Sequence, residues 1–148
     1  MAQWDVYLAG SMTGRTIAQV LTERSNARHW LDVAGLTYYD PAEDEDLDKL
    51  QYNTIISNAF NKKKMKSYVS KDFAAISECK TILNLTGDLP SEGSTWEMAY
   101  AVLYRRIPVH LIAPERRKGA KMTFTNILVD GLHKDLKSAI KAIKKEVI

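Results

Sequence analysis

A chain of 148 residues with 45% apolar and 26% charged side chains has the size and composition of one soluble globular domain with its own core. Its net charge of +3, from 21 basic and 18 acidic residues, is too small to mark a nucleic-acid binder, and its single cysteine, Cys79, excludes an internal disulfide and fits a reducing compartment. His29, His110 and His133 stand far apart without cysteine company, so no metal site is expected; with no signal peptide or apolar run of membrane length, a cytoplasmic protein is the expectation.

Along the chain, "WDVYLAG" reads as a short buried strand with a glycine exit. "SMTGR" is a turn, and Thr13 is the candidate cap of the next helix. Residues 16–34 carry Ile17, Val20, Leu21, Ala27, Trp30, Leu31 and Ala34 at roughly helical spacing, with Gly35 placed to cap the C-terminus. "LTYYDP" is a second strand, ended by Asp-Pro. Residues 42–66 differ: acidic "AEDEDLDK" and basic "NKKKMK" flank "LQYNTIISNAF". This segment reads as an excursion off the sheet, either a lid or a solvated helical hairpin. "SYVSKDFAAISEC" is an amphipathic helix, "KTILNLTG" a strand, and "STWEMAYAVLYRR" a helix with Met98, Ala101 and Val102 on one face. "IPVHLIAP" is the next strand and "ERRKGAK" a basic loop; "TFTNILVDGL" is ambiguous between a short strand and a helix start, and "HKDLKSAIKAIKKEVI" closes the chain as an amphipathic helix. Alternating strands and helices predict a mostly parallel sheet of four to five strands with helices on both faces, a three-layer α/β sandwich of the flavodoxin or Rossmann kind. Residues 1–148 form one domain.

Several phosphate and catalytic motifs are absent. "GSMTGRT" has three residues between Gly10 and Gly14, followed by Arg15; it is neither a Walker A loop nor a dinucleotide G-x-G-x-x-G turn. No G-x-S-x-G elbow, H-E-x-x-H helix or zinc deaminase signature occurs. What remains is a Gly/Ser/Thr turn aimed at a helix N-terminus. Such a turn suits an anion or a sugar hydroxyl, or is simply a tight connection.

Three segments end at one edge of such a sheet: "YLAGSMTG", the start of the helix carrying Asp72, and "PSEGSTWE" with Glu97 in the first turn of its helix. That edge is where open α/β sheets bind ligands. A nucleophilic carboxylate needs a polar partner to hold its rotamer and an acid to protonate the leaving group, and Tyr7, Glu97 and Asp72 suit those roles. Singly, each has a plainer reading: Tyr7 as core, Asp72 as an exposed helix acid, Glu97 as a charge complementing the helix dipole.

Taken together and in order, "VYLAGSMTG", "KDFAAISECKTILNL" and "PSEGSTWEMAYAVLYRRIPVHLI" resemble the nucleoside 2-deoxyribosyltransferase family, with its Tyr-Leu-Ala-Gly opening, its aspartate before a strand entry and its Gly-Thr-x-x-Glu-x-Gly-Tyr-Ala helix. The resemblance covers about two thirds of the chain and is poor over 42–66. It implies a flavodoxin-like fold and, with no cofactor or metal, transfer of a deoxyribosyl group between nucleobases in nucleotide salvage. Glu97 would be the nucleophile, Tyr7 its orienting partner and Asp72 the contact that helps the base leave protonated. Where many members carry an aspartate for the sugar 5′-hydroxyl, this chain has Ser91, as does the related branch of 2′-deoxynucleoside 5′-monophosphate N-glycosidases. Ser11, Gly14, Arg15, Ser91 and Gly93 are then candidates for a phosphate cradle, aided by "NKKKMK"; alternatively Glu92 replaces the missing aspartate. Gly10 and Met12 complete the substrate-binding candidates. The family also shares its sites across subunits, which implies a homo-oligomer, a dimer or an assembly of dimers, with Asn126 as the residue reaching into the neighbour. Base specificity would lie in Met12, Trp30, Asp40, residues 42–66 and Trp96. Two other functions stay open: hydrolysis of nucleoside 5′-monophosphates, and a non-catalytic nucleotide-binding module.

Overall fold

The computed structural model of the chain describes residues 2–12, 15–43, 62–89, 91–118 and 128–147. Most of the 42–66 excursion, with Thr13, Gly14 and Asn126, lies outside the described residues. The elements run β1 (Trp4–Ala9), α1 (Ile17–Val33), β2 (Tyr38–Tyr39), α2 (Lys62–Ile76), β3 (Cys79–Asn84), α3 (Glu92–Tyr100), β4 (Val109–Ile112), α4 (Pro114–Lys118), β5 (Gly131–His133) and α5 (Leu136–Val147). A π-helical turn, Ala101–Arg105, prolongs α3. The five strands form one parallel sheet in the order β2-β1-β3-β4-β5, the α/β architecture expected from the alternation. The ambiguous "TFTNILVDGL" contributes the start of β5, whose register pairs His110 with Gly131.

Period-two alternation sorts the strand side chains onto two faces. Val6, Leu8 and Leu83 pack with Ala27 and Leu31 of α1 and with Ala139, Ile140 and Ile143 of α5. Tyr7, Ala9, Ile82, Val109 and Leu111 pack on the other face with Ala75 and Ile76 of α2 and with Ala101. Helices on both faces also explain why the central strands are apolar on both sides.

The ends of α1 are fixed locally. Thr16, not the expected Thr13, is its N-cap: Gln19 N–H donates to Thr16 Oγ1 at 3.1 Å and Thr16 N–H donates to Gln19 Oε1 at 3.0 Å, a reciprocal capping box. At the other end Gly35 adopts a left-handed φ of 76°. Leu36 N–H then reaches Leu31 O at 3.0 Å and Gly35 N–H reaches Asp32 O at 3.0 Å, the Schellman arrangement anticipated for this glycine.

Strand β2 stops after two residues for a covalent reason. The ladder begins with Val6 N–H donating to Thr37 O at 3.0 Å, in the register Val6↔Tyr38. Continued in that register, the next β2 donor, for Leu8 O, would be residue 41, and Pro41 has no N–H. Arg24 takes over. Its Nη1 donates to Leu8 O at 3.1 Å and its Nη2 to Gly10 O at 3.1 Å, while Nη1 also meets Asp40 Oδ1 at 2.8 Å. Asp40 in turn accepts from Arg28 at 2.6 Å and from the backbone of Ala42 at 2.9 Å. Arg24 is 2% exposed and Asp40 3%, so this is a buried charge cluster with its hydrogen-bonding capacity engaged.

Residues 115–121 are not all loop: 114–118 form the short helix α4, with a proline at its first position. Its N-terminus is capped from a distance, as Asp88 accepts from the N–H groups of Glu115 and Arg116 at 2.8 Å each. The preceding Gly87 donates to Ile112 O at 2.9 Å, and a Cβ there would lie 2.8 Å from Ala113 Cβ and 3.0 Å from Ile112 O. On the α5 side of the sheet edge, His110 Nδ1 and His133 Nε2 are 2.9 Å apart and His110 Nε2 meets Glu146 at 3.0 Å. Gly131 admits this pair, since a Cβ would fall 2.4 Å from His133 Nε2. Cys79, at the start of β3, is buried, donates to Ala75 O at 3.2 Å, and has its thiol pushed up to about 12 by desolvation.

Two substitutions test this frame. Asp40→Asn leaves two guanidiniums without their shared carboxylate and is expected to cost about 3–5 kcal/mol, read as a lower urea midpoint at unchanged slope. Gly87→Ala forces a methyl group against β4 backbone and is expected to cost about 1–3 kcal/mol; an unchanged midpoint would show that the close approach is not constraining.

Candidate active site

The site is built where β1 and β3 end and α3 begins. Tyr7 is 0% exposed. It stacks on Tyr39 with ring centroids 5.9 Å apart, so its ring has one position. Its hydroxyl donates to Glu97 Oε2 across 90 residues of sequence. Burial is the largest influence on this phenol. With the negative charges of Glu97 and Asp72 and the hydrogen bond to Glu97, it holds the phenol well above its ordinary value, against an opposing pull from Arg24. Tyr7 is therefore a hydrogen-bond donor and not a base at neutral pH, which is what fixing a carboxylate rotamer requires.

Glu97 is half-buried on α3. Ser91 caps that helix, its Oγ accepting from Ser94 N–H at 3.2 Å and lying 2.8 Å from Ser94 Oγ. Because α3 starts at Glu92, Glu97 sits in the second turn and not the first. The acid in the first turn is Glu92. Turned inward there, Glu97 is presented to Tyr7, while its neighbour Trp96 is 64% exposed. Asp72 on α2 is half-buried with Oδ1 sealed from solvent, and its charge is felt at the Tyr7 hydroxyl. The structure thus brings together the three residues singled out from the sequence.

The remaining candidates are distributed differently. Gly10 and Ser11 lie at the β1 exit: Gly10 O is gripped by Arg24, Ser11 N–H donates to Thr86 Oγ1 at 2.7 Å and Ser11 O accepts from Arg15 at 3.2 Å. Met12 packs on Val20 and Ala42. Arg15 is committed to Glu23 through both nitrogens at 2.8 and 3.2 Å. Ser91 spends its hydroxyl on the helix cap; Glu92 and Gly93 are exposed on the first turn of α3, and the Cβ position of Gly93 is open. Trp30 is 48% exposed against His29, and Asp40 serves the arginine cluster.

Sequence reasoning passed over Arg24, Asn84 and Thr86. Asn84 ends β3 at 2% exposed, beside Ala9 of β1. Its Oδ1 accepts from Thr86 N–H at 2.9 Å and its Nδ2 lies 3.6 Å from Met98 Sδ, next to Glu97. A polar chain, Asn84 to Thr86 to Ser11, therefore ties the two strand exits together. The signal was present in "LNLTG", an amide inside an otherwise apolar strand. Among the described residues no cluster of three or more His, Cys, Asp or Glu is arranged to hold a metal ion, and no helix is long and apolar enough to cross a membrane.

The Tyr7 environment makes a pH prediction. A phenol whose folded value is raised stabilises the fold below its ordinary value near 10 and loses that contribution as pH rises above it. Stability of the wild type is expected to fall more steeply above about pH 10 than that of Tyr7→Phe, in parallel denaturation series. Native tyrosinate absorbance near pH 10 that disappears in Tyr7→Phe would contradict it.

Among curated proteins nothing matches this chain. A family model described as a domain of unknown function (DUF4406) matches residues 4–109, a span that runs from the first residue of β1 to the first of β4 and contains Tyr7, Asp72 and Glu97 while excluding β5 and α5. With most of its length so matched, the chain belongs to the DUF4406 family.

Proposed function

We propose that this protein is an enzyme that cleaves the N-glycosidic bond of a 2′-deoxyribonucleoside, or of its 5′-monophosphate, and transfers the deoxyribosyl group to a second nucleobase. The hydrogen bond from the buried Tyr7 hydroxyl to Glu97, at the C-terminal edge of a parallel sheet, carries this reading. It holds one carboxylate oxygen and leaves the group aimed by a rigid partner, as a nucleophile needs. In the reaction Glu97 attacks the anomeric carbon, the bond to the base breaks, and Asp72, carrying a proton once substrate is bound, supplies the proton that the leaving base takes up. The acceptor base then attacks the same carbon, the glutamyl ester breaks, and the acceptor's proton returns to Asp72. An oxocarbenium-like transition state favours a carboxylate beneath the ring, and a base departs more readily when protonated.

Hydrolysis of a 5′-monophosphate by water uses the same three side chains. Two members of its expected phosphate cradle are occupied: Arg15 pairs with Glu23 and the Ser91 hydroxyl caps α3. Transfer is therefore the reading adopted. A homo-oligomer belongs with it, and the exposed Trp96, Leu103 and Tyr104 along α3 and its π-helical turn give such an assembly an apolar face to bury.

The test is base exchange: the protein, a deoxynucleoside and a second free base, with the new nucleoside read by chromatography. Glu97→Gln, which keeps an acceptor for Tyr7, is expected to lower exchange by more than about 1,000-fold with the fold retained, and a slow fluorinated sugar analogue is expected to label the Glu97 peptide. Retention of most exchange in the glutamine variant would overturn the mechanism; free base released from a 5′-monophosphate without acceptor would favour hydrolysis.

A further inference from the structure

We propose that Arg24 is a positioning residue for the Tyr7–Glu97 pair: by gripping the carbonyls of Leu8 and Gly10, where proline has ended the neighbouring strand, it fixes the β1 exit from which Tyr7 and the Gly10–Ser11 turn meet the site. This role rests on the glycosyl-transfer reading for its kinetic consequence, but its geometry is independent of it.

Three observations converge. The fork of Arg24 spans two carbonyls on alternate residues, at 3.1 Å each, and these residues begin immediately after Tyr7. Without that fork the β1 segment beyond Tyr7 has no donor from β2, because Pro41 stands where the ladder would continue. The same turn is held further along by Thr86, through Ser11 N–H at 2.7 Å, and by Arg15 on Ser11 O at 3.2 Å, so removing Arg24 releases the carbonyls of Leu8 and Gly10 while Ser11 stays anchored. Finally, Arg24 shares Asp40 with Arg28, at 2.8 and 2.6 Å. Arg28 has a second, more exposed carboxylate in Glu43 at 3.9 Å, so Asp40 is the carboxylate on which buried Arg24 depends. On one side Arg24 meets Asp40, which it shares with Arg28, itself 3.9 Å from Glu43; on the other its charge is felt at the Tyr7 hydroxyl, which also feels Glu97 and Asp72. A simple structural pair would need only Asp40; the two strand carbonyls are what tie the guanidinium to the site.

The sharing of Asp40 also makes the idea testable, because Arg28 keeps that carboxylate partnered when Arg24 is changed. Arg24→Lys keeps the charge but has one nitrogen where two are needed. Arg24→Gln removes the charge. Arg28→Lys perturbs the same carboxylate without touching β1. Folding of each is followed by circular dichroism, and the neutral Arg24→Gln/Asp40→Asn double variant replaces any single variant that does not fold. In the exchange assay, Arg24→Lys is expected to lose kcat on the order of 100-fold with KM little changed and the acid limb of the pH profile unmoved. Arg24→Gln is expected to lose kcat similarly and to shift that limb to higher pH, since removing a cation disfavours the ionised carboxylate. Arg28→Lys is expected to keep wild-type kcat. The Tyr7 ring-carbon resonance in 13C-tyrosine-labelled protein, identified by its loss in Tyr7→Phe, is expected to move in both Arg24 variants and to stay in Arg28→Lys.

Wild-type kcat and an unmoved Tyr7 resonance in Arg24→Lys would overturn the proposal, as would an equal loss in Arg28→Lys. Absence of exchange by the wild-type protein would instead count against the glycosyl-transfer reading, and the resonance would then decide the positioning role alone.

Discussion

One buried arginine holds the corner of this sheet. Taking the charges of Arg24 and Asp40 out of water is costly, and the mutual attraction of a buried pair offsets that only when its other donors and acceptors are also met. Here they are met by the chain itself: two strand carbonyls on one side, a backbone N–H and a second arginine on the other. The cluster lets β2 be only two residues long without leaving the rim of β1 unsatisfied. The Gly10–Ser11 turn leaves the sheet directly from the carbonyls that this guanidinium holds.

The chemistry at the rim is a product of contrast. Tyr7 belongs by its ring to an apolar cluster with Ala9, Ile82 and Leu111, yet its hydroxyl emerges beside two carboxylates. Burial that would penalise a charged phenol instead keeps it a neutral donor. On the same face, Asn84 and Thr86 carry hydrogen bonds from one strand exit to the next, so the backbone there is cross-linked by side chains where the ladder ends. A parallel sheet collects its strand ends at one edge; in this chain the collected ends are fastened to one another.

Much of this was legible in the sequence, for identifiable reasons. Strand and helix alternation follows from apolar periodicity, and Gly35 could be read as a helix end because a left-handed residue is needed there. Tyr7, Asp72 and Glu97 stood out through a resemblance of ordered motifs. What escaped depends on distant partners. Arg24 in a helix reads as a surface residue because arginine usually is one; only the proline in the next strand gives it carbonyls to bind. Asp40, read as a specificity residue, is consumed by two arginines. The serine-rich lead into α3 hid which serine caps the helix, which moved Glu97 one turn along. "ERRKGAK" reads as loop because the cap of its helix, Asp88, lies in another part of the chain, and β5 is too short and too polar to show a period.

Cys79 has a practical corollary. Its thiol is sealed at the base of β3, bonded to a helix carbonyl and held protonated far above neutral pH, so maleimide or iodoacetamide chemistry has almost no thiolate to attack. Since it is the single cysteine in the sequence, a second one placed on the surface would be the sole labelling handle in native protein. A fluorophore or spin label attached there could follow the rim without first rebuilding the core.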